Sequence, residues 1–224
     1  MVPSPSSPSQ SRPIPEPTLR RLPRYLHLAK SVQDARPVVS SAYLGERLSL
    51  DAIQVRKDLQ AAGLVGRPKV GYQVSELVGT LETLLGWSNV RQAFLIGAGH
   101  LGAALIGYPR FKDAGLDILA AFDTDPAKIG TELHGKPVLP LAKLANLADR
   151  MHVLVGVLAV PAEAAQPAAQ LLVKAGIRAI WNFAPVRLEV PEDVIVQNED
   201  LYAGLAALTQ KLSARLMESP KKGR

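Results

Sequence analysis

Cysteine is absent from the sequence. Disulfides, thiolate metal sites and a cysteine nucleophile are therefore excluded. Histidine is scarce. The four residues, His27, His100, His134 and His152, include no pair at metal-ligand spacing, so no metal site is expected. Aromatic residues make up 5% of the chain, and apolar residues as a whole 47%. No apolar run approaches the roughly 18 residues needed to span a membrane, and the N-terminus lacks a signal-peptide core. The expectation is a soluble, cytoplasmic protein with no membrane partner.

With 224 residues there is enough chain for one α/β domain and a smaller second one. The net charge of +6 is unevenly placed. Residues 18–76 hold ten Lys/Arg against five Asp/Glu, whereas residues 77–217 hold twelve against thirteen. A basic first third joined to a near-neutral remainder points to a nucleic-acid-binding module attached to a ligand domain.

The near-neutral part is organised around residues 94–123. An apolar run, F-L-I, enters Gly97-x-Gly99-x-x-Gly102, and a second apolar run ends on Asp123, 21 residues after Gly102. Strand, glycine turn, helix, strand and acid form the dinucleotide-binding fingerprint in its proper context. Gly97 permits the tight turn, Gly99 lets a pyrophosphate approach the backbone, and Gly102 lets helix and strand pack closely. With Ala98, His100 and Leu101 these residues form the expected phosphate loop, whose helix N-terminus favours anions. Asp123 would accept hydrogen bonds from the adenosine ribose and repel a 2′-phosphate. NADH/NAD+ is therefore expected over the phosphorylated forms.

Further strands are expected at 93–97, 116–123, 153–158, 178–183 and 194–197, with a helix over 161–175 ended by Gly176. Alternating strands and helices imply an α/β fold with a doubly wound parallel sheet. Ligands bind at the carboxyl ends of such strands, which places Val160, Pro161 and Asn182 beside the dinucleotide. Turn chemistry is the alternative role for Asn182 and Pro185. The last helix, 199–217, carries Leu201, Leu205, Leu208, Leu212 and Leu216 at helical spacing. Such a stripe needs a partner surface, on its own domain or on a second chain.

The basic part opens with a Pro/Ser-rich stretch, 1–17, expected to be disordered. A helix is expected over 18–35, with Pro23 in its early turns. A short helix follows, capped by Ser40 or Ser41. After a turn at 49–51 comes a second helix ending at Gly63. Ile53, Val55 and Leu59 can face inward, with Gln54, Arg56 and Lys57 on the polar side. Two short helices joined by a tight turn suggest a helix-turn-helix, here between Pro23 and Ala62. Residues 64–74 read as a hairpin with Arg67 and Lys69 at its tip, the wing of a winged helix. Ser40, Ser41 and Tyr72 complete the expected DNA-binding set.

Several motifs in order resemble the Rex family of redox-sensing transcriptional repressors. They are Q-V-R-K-D-L from Gln54, V-G-Y from Val70, the glycine motif through Tyr108, F-D-x-D-P-x-K-I-G from Phe122, V-P-A from Val160, A-G-I-R-x-I-x-N-F-A-P from Ala175 and V-P-E from Val190. The resemblance runs from about residue 19 to 217. It implies a homodimer that binds two-fold operator DNA, senses NADH/NAD+ and exchanges its last helix between subunits. It places Tyr108 and Asp200 near the nicotinamide, and it pairs Asp200 with the first helix of the partner subunit, where this chain has His27. The chain departs from the family at His100, where an Asn is usual, and at Gln60-Ala61-Ala62-Gly63, which removes aromatic residues from beneath the wing. On this reading the chain divides into a tail (1–17), a winged helix (18–80), a Rossmann domain (81–198), a dimerisation helix (199–217) and a basic tail (218–224). It has no catalytic residue. The alternative is an NAD-dependent oxidoreductase with a small helical appendage.

Overall fold

The computed structural model describes residues 14–87 and 91–218. The chain separates into two compact units that divide at 89/90. The expected division at 80/81 falls inside a helix.

The N-terminal unit contains α1 (Glu16–Leu19), α2 (Leu22–Val32), β1 (Val38–Val39), α3 (Ser41–Leu48), α4 (Ala52–Ala61), β2 (Tyr72–Gln73) and α5 (Val74–Leu85). The single helix expected over 18–35 is broken in two, and its first piece begins inside the stretch expected to be disordered. Residues 1–13 of that stretch lie outside the described residues. The break follows from Pro23, which has no N–H to give to the Leu19 carbonyl and whose ring would crowd that carbonyl. The chain restarts as α2 with the proline in its first turn.

Capping fixes the next pair. The Ser40 hydroxyl accepts the Tyr43 N–H at 3.0 Å. The Asp51 carboxylate accepts the Ile53 N–H at 2.6 Å. Each cap contributes about 1 kcal/mol. Between them Ser49 adopts a left-handed conformation at φ 55°. A Cβ on Gly45 would lie 2.6 Å from the Leu50 carbonyl oxygen, so α3 and the turn close tightly only because this residue is glycine. Val55 and Leu59 are fully buried with Leu22, Tyr25, Leu44 and Leu77. Ile53 corrects the expectation: it is 54% exposed. Two residues before Val55, it falls on the opposite side of the helix.

The wing also differs from a simple hairpin. Its tip is a tight loop closed by paired bonds between Arg67 and Gly71 at 2.8 and 2.9 Å, with Lys69 at φ 63°. The returning strand β2 pairs antiparallel with β1, Val39 opposite Tyr72. Then α5, unforeseen in the sequence, packs Leu77, Val78 and Leu81 into the same core.

The second unit begins with β3 (Arg91–Ile96), α6 (His100–Ile106), α7 (Arg110–Asp113) and β4 (Leu116–Asp123). It continues through β5 (Glu132–Leu133), β6 (Lys136–Pro140), α8 (Leu144–Met151), β7 (Val155–Leu158) and α9 (Ala162–Lys174). It ends with β8 (Ala179–Asn182), β9 (Ile195–Asn198) and α10 (Leu201–Glu218). The sheet order is β5-β6-β4-β3-β7-β8-β9. Neighbours are parallel except at β5–β6. This is the doubly wound sheet expected, with β5 and β6 added to the five strands read from the sequence.

The period of two divides the core. Phe94, Ile96 and Phe122 face a cluster completed by α8 and α9. Ala93, Leu95 and Val157 face another, which includes Leu105 of α6. On that second face β8 and β9 carry Trp181 and Ile195, the latter 70% exposed. The link from β8 to β9 contains no helix to cover them. On α10, Leu205, Leu208, Leu212 and Leu216 are all more than half exposed.

Candidate cofactor cradle and nucleic-acid surface

The glycine loop is built as its spacing requires. Gly97 stands at φ 100°, a region closed to most side chains, and a Cβ there would collide with the Ala159 carbonyl and lie 2.9 Å from Val160. A Cβ on Gly102 would strike the Gly97 carbonyl oxygen. Gly99 has an ordinary φ of −83°, and a Cβ on it would have nothing within 4 Å. The space above Gly99 is therefore open, as a phosphate approaching the backbone requires. His100 opens α6 and is exposed, and Leu101 is half-buried against the sheet. The first-turn N–H groups of α6 have no intrahelical acceptor. The Ala159 N–H bonded to the Ile96 carbonyl at 2.9 Å sets Val160 beside the loop, and Pro161 sits exposed at the start of α9. The residues fit a dinucleotide.

Asp123 ties this loop to the end of β4. Its carboxylate accepts the Ala98 N–H at 2.8 Å and the Asp125 N–H at 2.9 Å, with Lys128 Nζ at 3.3 Å. Burial works against its charge. The two backbone donors and Lys128 outweigh burial and hold the carboxyl below its usual range. Lys128 was not singled out in the sequence, although the F-D-x-D-P-x-K motif contains it.

Three further residues expected at the cofactor have these surroundings. Asn182 is fully buried. Its amide nitrogen donates to the Val186 and Asn198 oxygens, both at 2.9 Å, and its oxygen accepts the Ala184 N–H at 3.0 Å. Every group it offers is used inside the fold, so it shapes the turn after β8. The Asp200 carboxylate accepts the Tyr202 and Ala203 N–H groups at 2.9 and 3.1 Å and caps α10. Tyr108 lies beyond the far end of α6, a seven-residue helix about 10 Å long. It is 48% exposed and starts an aromatic row, Tyr108–Phe111–Trp181–Phe183, with ring separations of 5.0, 5.2 and 4.8 Å. That row crosses the incompletely covered face of the sheet.

In the N-terminal unit a groove of about 480 Å³ opens between α4 and the wing. Ser40, Ser41, Arg56, Arg67, Lys69 and Tyr72 line it, and no acidic residue does. Such a surface favours phosphate oxygens. Lys57 is exposed beside Arg56 on α4. Two expected contacts are also engaged within the fold. Tyr72 is 7% exposed. Its ring sits where a Cβ on Gly66 would lie 2.9 Å away, so it props the wing from beneath. Aromatic support of the wing, expected to be missing, is thus supplied by Tyr72. Gln54 is half-buried and donates to Asp58 at 2.8 Å.

Asp58 was not foreseen. It is 1% exposed. Its carboxylate also accepts from Thr18 at 3.0 Å, Tyr25 at 2.7 Å and Arg21 twice, at 2.6 and 2.7 Å. Burial opposes its charge, and these donors more than compensate, holding the carboxyl down to about 2. Among the described residues no group of three His, Cys, Asp or Glu could hold a metal, and no helix is long and apolar enough to cross a membrane.

Comparison with known proteins finds two family models in the chain. A family model described as "CoA binding domain" matches residues 88–186, and one described as "Putative DNA-binding protein N-terminus" matches 13–60. The redox-sensing transcriptional repressor Rex of Treponema denticola is 49% identical over 193 residues, covering 86% of this chain and 92% of that protein. The chain belongs to the Rex family. The Rex repressor of Bacteroides thetaiotaomicron is 44% identical, with 89% of this chain and 91% of that protein covered. Among solved structures, the Rex-family repressor RSP in complex with NAD+ and operator DNA matches at TM-score 0.83 and 33% identity, over 92% of this chain and 95% of that one. RSP with NADH matches at 0.82 and 32% identity, over 92% and 97%. Rex relatives are regulators rather than enzymes, which leaves the oxidoreductase alternative without support.

Proposed function

We propose that two copies of this chain bind a two-fold operator and release it when NADH occupies the glycine cradle. The observation that carries this reading is the pairing, in one chain, of an acid-free cationic groove beside a capped second helix with an open glycine cradle anchored by an aspartate. Arg56 and Lys57 approach the DNA from α4, and Arg67 and Lys69 from the wing.

In the cradle, Gly97 to Gly102 take the pyrophosphate through backbone N–H groups. Asp123 takes the ribose hydroxyls, and its charge disfavours a 2′-phosphate. Val160 and Pro161 wall the cleft at the end of β7. The bound dinucleotide supplies the redox signal through the oxidation state of its nicotinamide, and no hydride passes to a substrate. NADH releases DNA only by as much as it prefers the DNA-incompetent dimer over the competent one.

Two unfinished surfaces support a dimer: the leucine stripe of α10 and the sheet face bearing Trp181 and Ile195. Exchange of α10 between subunits would cover both. The cytoplasm is the compartment where both ligands occur.

The test is a fluorescence-anisotropy titration of a labelled palindromic operator at fixed salt, with NADH, with NAD+ and with neither. Tight binding abolished by NADH and spared by NAD+ is expected. Equal binding in all three would overturn the proposal.

A further inference from the structure

A second cationic surface lies outside the groove. Tyr43 of α3 is half-buried at the edge of the N-terminal core, so its ring is fixed. The Arg36 guanidinium lies 4.7 Å from the ring centroid and that of Arg47 lies 5.7 Å from it. Both distances are within cation–π range. Both arginines are exposed. Among the described residues no carboxylate reaches ion-pair distance of either, although Asp34 and Glu46 are near in sequence. Two like charges thus share one ring without a counter-ion, which leaves them free for an anion from outside.

The patch is tied to the groove through α3 and β1. Ser40, which lines the groove, accepts the Tyr43 N–H. Arg36 sits two residues before β1, whose partner strand leads back to the wing. On α3, Tyr43 and Arg47 are four residues apart and therefore neighbours on one face.

We propose that Arg36 and Arg47, held by Tyr43, contact DNA phosphates next to those engaged in the groove. The inference rests on the operator-binding reading above. Phosphates recur about every 3.4 Å of axial rise along a strand, so two guanidiniums this close can serve neighbouring phosphates. The contact carries no base information and acts on all sequences alike.

The full-length protein would be titrated with labelled operator in two duplexes, one trimmed to the operator and one with flanks on both sides, over a range of salt. With the flanked duplex, the Arg36→Ala/Arg47→Ala double variant should lower the salt slope by about 3.6, at about 0.9 per phosphate with two phosphates lost at each of the two subunits. Operator and random flanked DNA should lose affinity by the same factor, and the trimmed duplex should lose less. Tyr43→Phe should match the parent, and Tyr43→Leu should fall between parent and double variant. Unchanged NADH binding and melting temperature would show that the variants are folded. A parental slope in the folded double variant overturns the inference. Arg56→Ala serves as the groove control. If it weakens binding while the double variant does not, only the inference fails. If it too has no effect, the DNA-binding reading fails and the inference with it.

Discussion

Two aspartates, one in each unit, put the same carboxylate to opposite uses. Asp58 is almost wholly buried and receives only side-chain donors, drawn from α1, α2 and α4 or the turn between the first two. Asp123 sits at the mouth of the cradle and receives mainly backbone donors, with Lys128 at its edge. A carboxylate surrounded by side chains locks separate elements together, and none of its donors can leave without another being stranded. A carboxylate held by its own loop keeps its orientation while remaining open to a ligand. One serves the fold and the other, on the proposed function, serves a ligand.

The contrast breaks most visibly at Asp58. Asp58→Ala would leave the Arg21 guanidinium and Tyr25 hydroxyl without their acceptor, at a cost of about 3–5 kcal/mol. Urea unfolding should show that loss together with failure to bind operator, whereas NADH titration should still succeed. A variant of parental stability would end the distinction.

Acid sharpens the same point. The Asp58 carboxyl is held at about 2 against an ordinary 3.8. A depressed folded value contributes stability that is complete above the unfolded value and disappears as pH falls through the folded one. About 2 kcal/mol should therefore be lost between pH 4 and pH 2. Denaturation midpoints at stepped pH would measure this, and Asp58→Asn should flatten that part of the curve.

At Asp123 the balance should reverse. Asp123→Ala should cost only about 1 kcal/mol of stability. NADH affinity should fall by about tenfold or more, a change of about 1.4 kcal/mol or more, while NADPH gains relative to NADH. Calorimetric titration with both dinucleotides reads the two effects. Smallest of all should be the effect of Gly99→Ala on stability, within about 0.5 kcal/mol, because a Cβ there meets nothing. Its NADH affinity should nevertheless fall, since that open space is where the pyrophosphate would lie. A shifted melting curve with intact affinity would reverse the role assigned to Gly99.

The glycine loop, β4 with its terminal Asp123 and the capped helices α3 and α4 were legible because each depends on neighbours in sequence. What was missed depends on distant partners or on residues that disguise the element. Pro137 and Pro140 conceal β6, which forms as the flank of β4. The helix α5 has a clear apolar spacing at Val74, Leu77, Val78 and Leu81. In the sequence, residues 64–74 read as a complete hairpin and residues 75–92 are given no element, so α5 is not expected. Asp58 looked like one more polar residue on α4, and only the break before Pro23 brings Thr18 and Arg21 onto it. Asn182 and Tyr72 have polar groups that suit ligands, and burial assigned both to support.

The cradle's geometry also limits what it can report. On the proposed function, Gly97, Gly99 and Gly102 take the pyrophosphate, and Asp123 takes the ribose. Both parts are identical in oxidised and reduced dinucleotide. Affinity gained there raises the occupancy of both forms together, like a common offset on two inputs. A ligand contribution that is equal for two states shifts no equilibrium between them. On that proposal the tightness of the glycine turn would set the total dinucleotide concentration at which the switch begins to respond. The ratio to which it responds must be encoded at the opposite end of the ligand.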